Sequence, residues 1–177
     1  NIFRKSLWSD IRTLWGAFAP RYDRTPLDNI LAEMFEETCM SDTLCRAIIP
    51  SFSLKTYSPI IFGETGKPDH YVSDVAIAAT AAPVYFSPKK IIDTKGLHPD
   101  VCVDGGIWAN NPETIGVSCA LKENPGLTRD DIYILSIGSG KNKVGKRSIQ
   151  DSFESHDSGF LKWILECNVV DLILNAE

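Results

Sequence analysis

Residues 101–122, VCVDGGIWANNPETIGVSCALK, constrain this chain more than any other stretch. Val101, Cys102 and Val103 read as the end of a buried strand, because β-branched residues suit a pleated, half-buried surface. Gly105 and Gly106 then allow a sharp turn or a close approach of backbone. Asn110 or Asn111 supplies a helix cap, and Pro112 suits the first helical turn. The unit is strand, turn, helix, with the carboxylate of Asp104 at the strand's end. That carboxylate has two readings. Asp and Gly are ordinary turn residues. A carboxylate held within hydrogen-bond reach of a hydroxyl is also a general base. The glycines leave space beside Asp104 for a substrate or another backbone, and a capped helix fixes where the loop points.

The rest of the chain alternates in the same manner. Residues 25–38, TPLDNILAEMFEET, form a helix signal: Thr25 as cap, Pro26 at the first turn, and Leu27, Ile30, Leu31, Met34 and Phe35 as one stripe. Residues 45–52 and 58–66 read as short buried strands separated by turn signals. Residues 73–83, SDVAIAATAAP, predict a helix of small side chains, capped by Ser73 and stopped by Pro83. Residues 98–106 predict the strand carrying Asp104, and residues 130–140, DDIYILSIGSG, a further strand ending near Ser139. Residues 2–18 and 159–177 carry apolar helical spacing. Strands alternating with helices predict an α/β domain with a largely parallel sheet. In such sheets ligands bind off the carboxyl ends of the strands, where Asp104 and Ser139 fall.

The 177 residues suit a single domain. A formal charge of −5 argues against nucleic acid as the main partner. No stretch reaches the ~18 apolar residues of a membrane span, so the expectation is a soluble chain with peripheral membrane contact at most. The first residues lack Met and the basic-then-apolar order of a signal peptide, and read as a cut or processed start. The five cysteines, Cys39, Cys45, Cys102, Cys119 and Cys167, are odd in number and widely spaced, with no CxxC. They predict reduced core thiols, and neither a zinc site nor a disulfide framework. Neither a metal nor a cofactor is expected.

No G-x-S-x-G elbow occurs. The nearest match, Gly116 to Ala120 around Ser118, falls inside the expected helix and reads as structural. SIGSGK fails as a phosphate loop, because Leu135 and Asn142 stand where Gly and Ser or Thr are required. His70, His98 and His156 sit among polar and turn residues, which predicts surface positions. Trp8, Trp15 and the apolar tail have the composition to touch lipid, but such stripes more often belong to a core.

AIAATAAPVYFSP, VDGGIWANNP and ILSIGSGK, in that order and at these separations, resemble the later half of a patatin-like phospholipase domain. AFAPRYDRTPLDNILAEMF resembles the family more loosely. The resemblance implies a three-layer α/β sandwich with a largely parallel central sheet. Residues 1–177 would be the later part of one such domain. It implies a lipid acyl hydrolase with a Ser–Asp dyad and an acyl-enzyme, working on glycerolipid esters at a membrane surface. Asp104 matches the family's D-G-[GA] aspartate, with Gly105 and Gly106 as its companions. The family's glycine-rich oxyanion loop and nucleophile elbow precede the region present, so the missing N-terminal part of the same domain is an expected partner. Two other readings remain open: a non-catalytic binding or regulatory module that lacks the nucleophile, and a nucleotide-binding α/β domain using SIGSGK.

Overall fold

A computed structural model describes residues 20–138. Helix α1, Thr25–Phe35, starts where expected, with Pro26 in the first turn. Its cap differs. The Asp23 carboxylate accepts both the backbone N–H and the hydroxyl of Thr25, at 3.0 and 2.8 Å. The cap position is Arg24, which makes no side-chain cap bond, and Asp23 braces Thr25 from one residue further out. Only part of the apolar stripe is used: Leu27, Leu31 and Phe35 are half-buried, while Ile30 and Met34 are exposed. α1 packs on helix α2, Val72–Ala79, whose small residues admit a close neighbour.

Four strands follow in one sheet: β1, Ile49–Ser53; β2, Ser58–Phe62; β3, Lys89–Ile91; and β4, Asp100–Asp104. Their spatial order is β2-β1-β4-β3, and every pairing is antiparallel. The chain is α/β, but the largely parallel sheet is not what the described residues form. The connections explain the difference. Residues 54–57 join β1 to β2 too tightly for a crossover, so the pair is a hairpin. Between β3 and β4 there is no helix either. That loop folds on Asp93, which accepts the Leu97 N–H at 2.7 Å and carries the His98 ring on its other oxygen at 2.5 Å.

Side chains alternate across the sheet. Phe62, Ile91 and Cys102 share the face that packs with Val72, Val75 and Ala78 of α2 and with Met40. Asp104 lies two residues beyond Cys102 on β4 and so shares this face. After β4 come the short helix α3, Gly106–Ala109, which the sequence did not suggest, and helix α4, Glu113–Glu123. Asn111 Oδ1 accepts the Glu113 N–H at 3.0 Å, but the cap position itself is Pro112, which makes no side-chain cap bond, so Asn111 braces the helix start from one residue before the expected cap. Residues 132–138, expected as a strand, belong to none among the described residues. Tyr133 and Leu135 are 95% and 84% exposed. No helix among the described residues is long and apolar enough to cross a membrane. The helical patterns at 2–18 and 159–177, Ser139, His156 and Cys167 lie outside the described residues.

Candidate active site

Asp104 ends β4 with its backbone and side chain both held. Its N–H donates to the Ala81 carbonyl at 3.1 Å, just beyond α2. Its Oδ1 accepts the Gly106 N–H at 2.7 Å. The second carboxylate oxygen has no bonded partner among the described residues. Burial pushes the Asp104 carboxyl above its ordinary value, and the Gly106 N–H only partly opposes this. A carboxylate raised in this way is a better proton acceptor than a free surface aspartate.

The two glycines have separate tasks. A Cβ on Gly105 would lie 2.2 Å from the Pro50 carbonyl oxygen and 2.9 Å from the Ser51 nitrogen. The backbone of β1 therefore presses against this position, and only glycine fits. The backbone angles of Gly105 are ordinary right-handed ones, so space rather than torsion selects it. Gly106 supplies the N–H that fixes the carboxylate. The space at Gly105 admits a neighbouring backbone, that of β1.

Two residues that sequence reasoning passed over complete the support. Trp108 Nε1 donates to the Ser51 carbonyl at 2.8 Å and ties α3 to β1. Ser51 pairs with Asp104 across the sheet and is 0% exposed. Its hydroxyl donates to the Val103 carbonyl at 2.7 Å, so it is committed to the sheet and is no nucleophile. The aromatic directly after the Gly pair was the available signal for Trp108. Nothing in the sequence pointed to Ser51.

No serine hydroxyl among the described residues bonds the Asp104 carboxylate. Ser118 lies on α4 and donates to the Thr114 carbonyl one turn back at 2.8 Å, in keeping with a structural role. The four cysteines among the described residues are free. Cys102 and Cys119 are buried as expected, but Cys39 is half-buried and Cys45 exposed, because both fall in the polar connection before β1. Burial pushes the Cys102 thiol up to about 12, so it is inert at neutral pH.

Two histidines depart from one another. His98 is on the surface, its ring paired with the buried Asp93 carboxylate. His70 is buried, against expectation, with its ring edge-on to Phe62 at 5.0 Å. Burial lowers its pKa, which keeps the ring neutral in the core. Neither histidine is bonded to Asp104. A cavity of about 260 Å³ lies at the other end of the sheet, lined by Ile60, Phe62, His70, Ile91, His98 and Asp100. It excludes Asp104, and its carboxylates are occupied: Glu64 by Lys122, and Asp100 by the Ser53 hydroxyl. Chemistry therefore points to the Asp104 end, whatever the shape of the surface. Among the described residues no cluster of three or more His, Cys, Asp or Glu side chains is placed to hold a metal ion.

The family described as Patatin-like phospholipase matches residues 1–117, which include Asp104, Gly105 and Gly106. Patatin-like protein 4 of Arabidopsis thaliana is 28% identical over 178 residues, covering 92% of this chain and 44% of its own length. A cGAMP-activated phospholipase of Vibrio cholerae is 33% identical, covering 82% of this chain and 42% of its own. One of Escherichia coli is also 33% identical, covering 75% and 39%. The chain spans less than half the length of these curated relatives. It belongs to the patatin-like phospholipase family.

Proposed function

We propose that the whole protein hydrolyses acyl esters of glycerolipids at a membrane surface through a Ser–Asp dyad, and that Asp104 is the aspartate. The observation that carries this is the half-buried Asp104 carboxylate, with Gly106 on one oxygen and no partner on the other among the described residues. The serine and the oxyanion donors would come from a part of the domain outside this chain. Asp104 accepts the serine proton as the hydroxyl oxygen attacks the ester carbonyl. The carbon–oxygen bond to the leaving alcohol then breaks, and Asp104 returns the proton to that alcohol. Water attacks the acyl-serine with Asp104 again taking the proton, which passes to the serine as the fatty acid leaves. No histidine takes part.

The same reading covers the sheet. Residues 132–138 are apolar on both sides, as fits a strand buried on both faces. Their exposure here suits a three-layer domain in which that strand finds its neighbours in the remaining part of the protein.

The test is ester hydrolysis by the full-length protein and by Asp104→Asn. The variant is expected to lose at least about 10²-fold in kcat, the lower end for removal of a general base. Normal hydrolysis by the variant would end the dyad assignment. A second reading, a non-catalytic module, draws on the lack of any serine hydroxyl bonded to Asp104 among the described residues. Hydrolysis by the wild-type full-length protein, lost in Asp104→Asn, would dispose of it.

A further inference from the structure

The turn after α2 contains a strained residue that the core does not explain. Val84 has φ +72°, in the left-handed half of backbone space, where a β-branched side chain is an outlier. Glycine or asparagine takes such a backbone far more readily. Burial does not hold valine there, because Val84 is 45% exposed. The strain persists because the backbone is fixed on both sides. Arg21 and Tyr22 donate their N–H groups to the Val84 and Tyr85 carbonyls, each at 2.9 Å. Tyr85 and Phe86 donate back to the Ala82 carbonyl at 3.1 and 2.9 Å. Arg24 Nη1 donates to the Ser87 carbonyl at 2.8 Å. The Tyr22 and Tyr85 rings stack at 6.0 Å. The turn is rooted at the candidate catalytic aspartate through the Asp104 N–H bond to Ala81. Three peptide steps separate Ala81 from Val84, so their Cα atoms lie within about 11 Å.

We propose that Val84 contacts the acyl chain of the substrate, as a fixed aliphatic wall beside Asp104. This rests on the hydrolase reading above. Strain persists where the surrounding structure over-determines it, and it gathers at ligand-contacting positions. The half-exposed Val84 gains little from the core of the described residues, and under the hydrolase reading a hydrocarbon chain is the partner that would bury it.

The experiment measures kcat/KM of the full-length protein on a series of p-nitrophenyl esters of rising acyl length. The variants are Val84→Asn, Val84→Gly and, as a control, Leu44→Asn at a fully exposed site on another loop. Both Val84 variants are expected to lower the long-to-short ratio of kcat/KM about tenfold, mainly through KM, as for lost aliphatic contact in an apolar site. Their melting temperatures should not fall, because both residues accept the left-handed backbone. Leu44→Asn should keep the wild-type ratio. A wild-type ratio in both Val84 variants would overturn the proposal, and so would a uniform loss at every length with a lowered melting temperature. A wild type inactive on every ester would instead sink the hydrolase reading, and this inference with it.

Discussion

Gly105→Ala isolates the contact that positions Asp104. Two opposing effects set its sign. The backbone at Gly105, φ −70° and ψ −20°, is one that alanine adopts without strain. Restricting the unfolded chain would then stabilise the protein by about 0.4–1 kcal/mol. Against this, the added Cβ falls 2.2 Å from the Pro50 oxygen and 2.5 Å from the Pro50 carbonyl carbon. Both are backbone atoms of β1, whose Pro50 pairs with Ile61 of β2, and have no flexible end to move. Overpacking of this kind costs about 1–3 kcal/mol. Pushing α3 away from β1 also weakens the Trp108–Ser51 hydrogen bond, worth about 1 kcal/mol. The net expectation is a loss of about 2 kcal/mol. Gly116→Ala is the matched control. It lies within α4 with nothing near its Cβ, and should stabilise by about 0.8–1 kcal/mol. Urea denaturation of the full-length variants measures both. Gly105→Ala as stable as wild type, or more so, would refute the close-approach argument.

Two further expectations follow from the same geometry. Because folding raises the Asp104 pKa, the folded state holds its proton more readily than the unfolded chain. Stability linked to this group is therefore full below the unfolded value of about 3.9 and falls as pH rises through the higher folded value. Asp104→Asn should be more stable than wild type at pH 7, with the gap closing in acid; urea midpoints across pH check this, and a less stable variant at pH 7 would contradict it. Leu135→Ala reports on residues 132–138: if they form a buried strand in the whole protein, the change should cost about 2–5 kcal/mol. A cost within about 0.5 kcal/mol, as for an ordinary surface site, would mean that Leu135 stays exposed.

The elements near Asp104 were legible because each has a local signal. Pro26 marks α1, the small residues mark α2, and Val101, Cys102 and Val103 with the glycine pair mark β4 and its turn. Strand direction was not legible. Turn signals separate the two strands, but residues 54–57 hold no Asn-Gly or Asp-Gly pair and Tyr57 itself takes φ +53°, so nothing there specified a tight hairpin. β3 was missed because three residues, two of them lysine, carry no alternation worth reading. His70 looked like a surface residue because its burial depends on Phe62 and Met40, which only the fold brings to it. At the site, Asp104 could be chosen from the strand–turn–helix pattern. The bonds that hold it, from Ala81 and through Trp108 to Ser51, join residues far apart in the chain and could not.

The rate of covalent modification of the full-length protein by a fluorophosphonate tests the central claim most directly. The reagent needs an activated serine and no particular lipid. The account predicts one modified serine in the wild type, outside residues 1–177, and modification slowed by at least about 10²-fold in Asp104→Asn at equal folded content. Labelling of both proteins at the same rate would show that Asp104 does not serve that serine.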